Sequence, residues 1–235
     1  MLRIAFMVLR LFFKVPYYFY KIWWYGKSSK YTEEEKFNVL KYVTKKANSA
    51  GRVKIEAFGI ENIPKENGFV YFPNHQGLFD VLTVLETSPN PFAIVMKKEV
   101  ANTIIVKQVL ILLKGQSIDR EDVRQSMKVI MKMTEEVKSG RNYLIFAEGT
   151  RSRNKNELLD FKGGSFKSAM NAKCPIVPVA LINSFAPFDI RSIKPVTVQI
   201  HYLQPILYDE YKDKKTCEVA KMVKERIQEV IKQNE

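Results

Sequence analysis

From Gly51 to Tyr202 the chain alternates short apolar runs with longer stretches whose apolar positions recur every three or four residues. The first pattern is that of strands and the second that of helices with one covered face. Residues 53–58 alternate like a half-exposed strand, and residues 68–72, 92–96, 142–146, 176–181 and 196–202 read as further strands. Residues 31–50 predict an amphipathic helix opened by Thr32, with Glu35 at capping-box spacing and Phe37, Leu40, Val43, Thr44 and Ala47 on its covered face. After a mostly apolar segment at 103–113, residues 117–120 read as a short strand. It leads into a helix capped near Asp119 that buries Val123, Met127, Ile130, Thr134 and Val137. A last helix starts at Thr216 and buries Val219, Val223, Ile227 and Val230. Strands alternating with helices predict an α/β fold, a mainly parallel central sheet flanked by helices. No repeat, low-complexity stretch or linker divides residues 31–235, which read as a single domain.

The first 30 residues are of another kind. Phe6, Phe12, Phe13, Tyr17, Tyr18, Phe19, Tyr20, Trp23, Trp24 and Tyr25 lie among aliphatic residues, with Arg3, Arg10, Lys14 and Lys21 set between them. At about 100° per residue these four bases fall within about 40° of one another, although Pro16 kinks or divides the segment. A spanning helix needs about 20 mostly apolar residues, and here no uncharged run exceeds six residues. The pattern predicts an amphipathic, membrane-associated helix or helical hairpin over residues 1–30, with aromatics at the acyl boundary and bases at lipid phosphates. An ordinary core helix with one wet face is the alternative. No small-residue cleavage site follows the apolar part, which disfavours a signal peptide.

Composition narrows the partners. A hydrophobic fraction of 46% excludes disorder, and a net charge of +13 points to an anionic partner. Cys174 and Cys217 have no metal-ligand spacing and fit a reducing compartment. His75 and His201 are the only histidines and lie far apart without clustered thiols, so no metal site is expected.

One of those histidines carries the chemistry. In Asn74-His75-Gln76-Gly77-Leu78-Phe79-Asp80 a His follows an apolar strand, and an Asp lies five residues on, at the start of a helix. A carboxylate beside the imidazole fixes its tautomer and leaves the other ring nitrogen free to take a proton from an alcohol. The same residues also suit a His that caps a turn and an Asp that caps a helix. Lys97, Arg120 and Arg151 stand just past other predicted strands, at the edge where parallel α/β sheets collect ligands. Such bases can hold a phosphate, and Gly149 lets the backbone approach it closely. Lys162-Gly163-Gly164-Ser165 opens a helix whose N–H groups offer further anion contact. Taken singly, each of these bases also fits a solvated surface charge.

The His75-to-Asp80 stretch resembles the His-four-residues-Asp motif of the glycerolipid acyltransferases. Residues 115–120 resemble their second block, Phe146-Ala147-Glu148-Gly149-Thr150-Arg151-Ser152 their third and Cys174-Pro175-Ile176-Val177-Pro178-Val179 their fourth. Within that family the pattern is most similar to the 1-acyl-sn-glycerol-3-phosphate acyltransferases. The resemblance implies that His75, oriented by Asp80, activates the sn-2 hydroxyl of lysophosphatidic acid to attack a fatty acyl thioester, giving phosphatidic acid. It implies acyl-carrier protein or acyl-CoA as co-substrate and no metal or redox cofactor. Lys97, Arg120, Glu148, Gly149, Thr150 and Arg151 are implied as the phosphate site, with Glu148 bracing the third block. An enzyme of this kind is expected on the cytoplasmic face of the cell membrane, against an anionic surface.

Other readings remain at this stage. A related acyltransferase using glycerol-3-phosphate or another lysophospholipid would use the same residues. A non-catalytic membrane-surface protein would account for the charge. Nucleic-acid binding is disfavoured, because the aromatics concentrate with aliphatic residues at the N-terminus, where membrane burial explains them better than base stacking.

Overall fold

The computed structural model describes residues 2–101, 104–119 and 121–234. Two helices come first, α1 (Leu2–Arg10) and α2 (Val15–Lys27), then α3 (Glu33–Ala50) and β1 (Val53–Phe58). They are followed by β2 (Val70–Pro73), α4 (Asp80–Thr87), β3 (Ala93–Lys97), α5 (Lys98–Ala101), α6 (Ile104–Leu112), β4 (Gln116–Ile118) and α7 (Val123–Lys138). The rest comprises β5 (Tyr143–Leu144), α8 (Lys167–Ala172), β6 (Ile176–Ile182), α9 (Ala186–Asp189), β7 (Val196–Tyr202), α10 (Tyr208–Tyr211) and α11 (Thr216–Asn234).

The strands form one seven-stranded sheet in the order β1-β7-β6-β2-β5-β3-β4. All pairs are parallel except β6 with β7. The fold is therefore α/β with a mainly parallel central sheet flanked by helices, as the alternation predicts. Because β1 and β7 run against the other five strands, their starts at Val53 and Val196 lie on the edge where β2 ends.

Side-chain alternation along β2 divides the core into two layers. Val70 and Phe72 pack with α7, α8 and α11, whereas Phe69 and Tyr71 pack with α3, α4 and α6. All seven residues of β6 are buried, which explains why 176–181 reads as a continuous apolar run. The capping box of α3 forms as expected: Glu35 N–H donates to Thr32 Oγ1 at 3.1 Å, and Thr32 N–H donates to Glu35 Oε2 at 2.8 Å.

Two helical details differ from expectation. The cap of α7 is Asp122, whose Oδ1 accepts from Gln125 N–H at 2.9 Å, while Asp119 secures the preceding turn by accepting from Glu121 N–H at 3.1 Å. The buried residues of α7 are Val129, Met133, Thr134 and Val137, and Val123 and Met127 are 72% and 43% exposed. At about 100° per residue the buried face is rotated by roughly 60° from the expected line. Contacts with α8 and β4 set that phase and leave the Val123 side uncovered.

The N-terminal segment is divided, with Pro16 in the first turn of α2. The expectation that Arg3 meets lipid phosphate is corrected by its position. Arg3 is 2% exposed, and its guanidinium donates to the carbonyls of Gly51 at 2.6 Å, Lys194 at 2.8 Å and Pro187 at 3.1 Å. Met7 packs with Val53, Phe79 and Val198, so this face of α1 is turned inward. Arg10 likewise donates to Ala50 O at 2.9 Å, and Lys21 lies over the rings of Tyr25 and Tyr42 at 5.9 and 5.7 Å. Among the described residues no helix is long and apolar enough to cross a membrane. Leu9, at the end of α1, and Phe12 and Phe13, in the turn before α2, are 72%, 62% and 93% exposed.

Candidate active site

The fully buried strand β2 delivers Asn74, His75 and Gln76 to the sheet edge, and α4 starts at Asp80. Asp80 is fully buried, and its Oδ2 gathers three donors: the N–H groups of Gln76 at 2.7 Å and Gly77 at 2.9 Å, and His75 Nδ1 at 2.7 Å. With two backbone N–H groups already donating to it, Oδ2 acts as an acceptor, so Nδ1 carries the hydrogen of the pair and Nε2 is the ring nitrogen left outside it. The ring stacks on Phe146 with centroids 4.1 Å apart, and the side chain is 20% exposed, so one face is fixed while solvent still reaches it.

The neighbours of His75 hold its backbone. Asn74 Nδ2 donates to Leu181 O at 3.0 Å and its Oδ1 accepts from Leu181 N–H at 2.7 Å. Gln76 donates to the same carbonyl at 3.0 Å and accepts from Ser184 N–H at 2.7 Å. These two buried amides lock the loop to the end of β6, and sequence reasoning missed them. The available signal was two amide side chains flanking the histidine directly after an apolar strand.

Glu148 grips the loop from the other side. His75 N–H donates to its Oε1 at 2.6 Å and Leu159 N–H to its Oε2 at 3.0 Å, while Ser152 N–H donates to His75 O at 2.8 Å. Burial pushes the Glu148 carboxyl up to about 7, against the opposing pull of the two N–H donors and His75. With both oxygens engaged, Glu148 braces the His75 backbone. Gly149 has φ 77°, in the left-handed region that a glycine adopts without strain.

The predicted cations are more dispersed. Lys97 ends β3, two strand positions or roughly 10 Å from β2, and its ammonium pairs with Glu99 at 3.0 Å in solvent. Thr150 is exposed and Arg151 half-buried just past Gly149. Arg120 lies outside the described residues, as does Thr103 at the start of the predicted apolar segment. The structure thus joins His75, Asp80 and Glu148 directly, with Gly149, Thr150 and Arg151 adjoining and Lys97 further along the edge. His201 lies in β7, two strands from β2 and opposite Ala180 of β6; it is stacked on Phe58 at 4.6 Å, and burial lowers its pKa.

A groove of about 290 Å³ opens beside Phe146 and Gly149. Val95, Met96, Ile118, Ile130 and Met133 make its walls apolar, and Lys162 stands at its rim. Another cleft, of about 320 Å³, lies at the opposite end of the strands, where Arg141 is closed off by Glu33 at 2.6 Å and Glu136 at 2.8 Å.

A mainly parallel α/β sheet that presents a His–Asp pair beside an apolar groove defines a class of protein equipped to activate a hydroxyl next to a hydrophobic substrate. The chain belongs to the acyltransferase family, whose model, described as Acyltransferase, matches residues 54–182, more than half of the sequence. It is similar to a 1-acyl-sn-glycerol-3-phosphate acyltransferase of Cocos nucifera, 28% identical over 66% of this chain and 51% of the relative. A protein of the same description from Borreliella burgdorferi is 33% identical over 56% of this chain and 52% of the relative. The chain spans about half the length of these two relatives. The crystal structure of the 1-acyl-sn-glycerophosphate (LPA) acyltransferase PlsC from Thermotoga maritima superposes with a TM-score of 0.80 at 22% identity, covering 98% of this chain and 95% of that one. At that identity the likeness speaks for the fold.

Proposed function

We propose that this protein transfers a fatty acyl group from acyl-carrier protein or acyl-CoA to the sn-2 hydroxyl of 1-acyl-glycerol-3-phosphate, giving phosphatidic acid. The observation that carries the reading is His75, held by Asp80 through Nδ1 and stacked on Phe146, which lines the apolar groove. Nε2 takes the hydroxyl proton as the oxygen attacks the thioester carbonyl. The tetrahedral intermediate then collapses, the C–S bond breaks, and the imidazolium returns the proton to the departing thiolate. No acyl-enzyme forms. The thioester is already activated, so the reaction calls for no metal or redox cofactor. Arg151, with Thr150 and the Gly149 backbone beside it, is assigned to the acceptor's phosphate, together with Lys97 and Arg120. Glu148 acts as a positioning residue through the His75 amide.

The relatives named as acting on 1-acyl-sn-glycerol-3-phosphate support this acceptor over others. The exposed Phe12 and Phe13 support a membrane-associating role for residues 1–30, on the cytoplasmic face where soluble donors are available. The test is conversion of 1-oleoyl-glycerol-3-phosphate and an acyl thioester to phosphatidic acid by the purified protein. Thiol release at the same rate without any acceptor would contradict it, as would faster transfer to glycerol-3-phosphate.

A further inference from the structure

The groove and the outer surface of α7 share one helix. Ile130 and Met133 line the groove from within, while Val123, Met127 and Met131 are 72%, 43% and 63% exposed on the other side. These three are spaced four apart and rise over about 12 Å at 1.5 Å per residue. Arg124, Lys128 and Lys132 follow each of them by one residue and are all exposed, so a row of three bases runs about 100° round the helix from the apolar row. Lys132 meets Glu136 at 3.9 Å, and Glu135 is held by Lys138 at 3.2 Å. Val123, at the near end of the stripe, follows β4 at the sheet edge that carries His75.

We propose that the outer face of α7 docks an acidic, helical acyl carrier protein that presents the thioester donor. The inference rests on the acyl-transfer reading above and selects among its donors. Charge complementarity argues for the partner: three bases in line suit a row of carboxylates on a helix, and the flanking Val and Met side chains suit its apolar residues. A lipid surface fits less well. The stripe has no aromatic residue, and α7 covers the face of the sheet opposite to α2 and α3, which adjoin the exposed aromatics of the N-terminus. A partner seated near Val123 can feed a flexible thioester arm over the sheet edge towards Phe146 and His75.

The test uses the full chain and the variants R124E/K128E/K132E and M127A/M131A, neither of which alters a groove or site residue. Binding of fluorescently labelled acyl-acyl carrier protein is measured by anisotropy at two salt concentrations. Donor KM is measured with acyl-acyl carrier protein and with uncharged acyl-pantetheine. The expected result is at least tenfold weaker binding and higher KM for the carrier-protein donor in the triple variant, with a flatter salt dependence. M127A/M131A is expected to lose binding with its salt dependence intact, and acyl-pantetheine turnover stays unchanged in both. Carrier-protein binding equal to the parent's would overturn the proposal. So would an effect confined to pelleting with anionic vesicles, which would assign the face to lipid, or one confined to acyl-CoA, which would assign it to the nucleotide. A parent that binds the carrier protein but transfers no acyl group from acyl-pantetheine would leave the docking face standing and remove the acyl-transfer reading instead.

Discussion

Asp80→Asn separates the two things that Asp80 does for His75. The carboxylate supplies charge and it dictates the tautomer. In the structure Oδ2 accepts from two backbone N–H groups and from Nδ1, whereas Oδ1 is buried with no partner among the described residues. An asparagine must keep its oxygen at the three donors, because an NH₂ placed there would face two N–H groups head on. The amide nitrogen then occupies the unpartnered position. The tautomer is retained and the charge is lost. Charge-assisted hydrogen bonds contribute about 1.5–3 kcal/mol against about 0.5–1.5 for neutral ones, so the loss is roughly 1–2 kcal/mol. That is about 5- to 30-fold in rate, well short of the roughly 10⁴-fold cost seen where the wrong tautomer is imposed on a catalytic His. The orphaned NH₂ also lowers stability by about 1–3 kcal/mol. The assay is kcat for thiol release with saturating lysophosphatidic acid. A loss as large as that of His75→Ala would refute tautomer retention, and a rate within twofold of the parent would refute any catalytic coupling of Asp80 to His75.

Three further outcomes follow from the same geometry. Arg151→Ala raises the KM for lysophosphatidic acid about tenfold or more, since hydrogen bonds to charged groups contribute about 1.5–3 kcal/mol; donor KM hardly changes, and Arg151→Lys rescues in part. Equal loss with an acceptor lacking the phosphate contradicts the assignment. Glu148 has a carboxyl raised by burial to about 7 from 4.5, so its contribution to stability is complete below pH 4.5 and is lost as pH rises through 7. The Tm of the parent minus that of Glu148→Gln is therefore larger at pH 4.5 than at pH 8, and a difference independent of pH contradicts the burial argument. F12S/F13S weakens flotation with anionic vesicles by tenfold or more, each buried Phe being worth about 1.5–3 kcal/mol, and spares transfer to a short-chain soluble acceptor; unchanged flotation places the membrane contact elsewhere.

Much of the architecture could be read directly along the chain, because the signals were local. The strands at 53–58 and 196–202 coincide with β1 and β7 at both ends, since their alternation reflects one covered and one open face. His75 and Asp80 could be paired on paper because the loop between them is short and is bracketed by a buried strand and a helix start. What stayed hidden depended on residues distant in sequence. Arg3 has the spacing of a lipid-facing base, but the carbonyls that capture it belong to Gly51, Pro187 and Lys194. The amides of Asn74 and Gln76 close on Leu181, more than a hundred residues on. Glu148 sits between glycine and strand as an anion-site residue would, yet the fold turns it onto two backbone N–H groups. The phase of α7 could not be fixed either, because an exposed apolar row beside a buried one leaves two nearly equal choices for the covered face.

If Nε2 of His75 is the general base for acyl transfer to a lysophosphatidate hydroxyl, its removal costs rate and spares binding. The direct measurement compares phosphatidic acid formation by the parent, His75→Ala and His201→Ala under saturating substrates, with lysophosphatidic acid binding followed in parallel. The expected result is a loss of roughly 10²–10⁴-fold for His75→Ala with binding retained, and a rate within a small factor of the parent for His201→Ala. Equal losses in the two variants, or a His75→Ala enzyme that still turns over within tenfold of the parent, would contradict it.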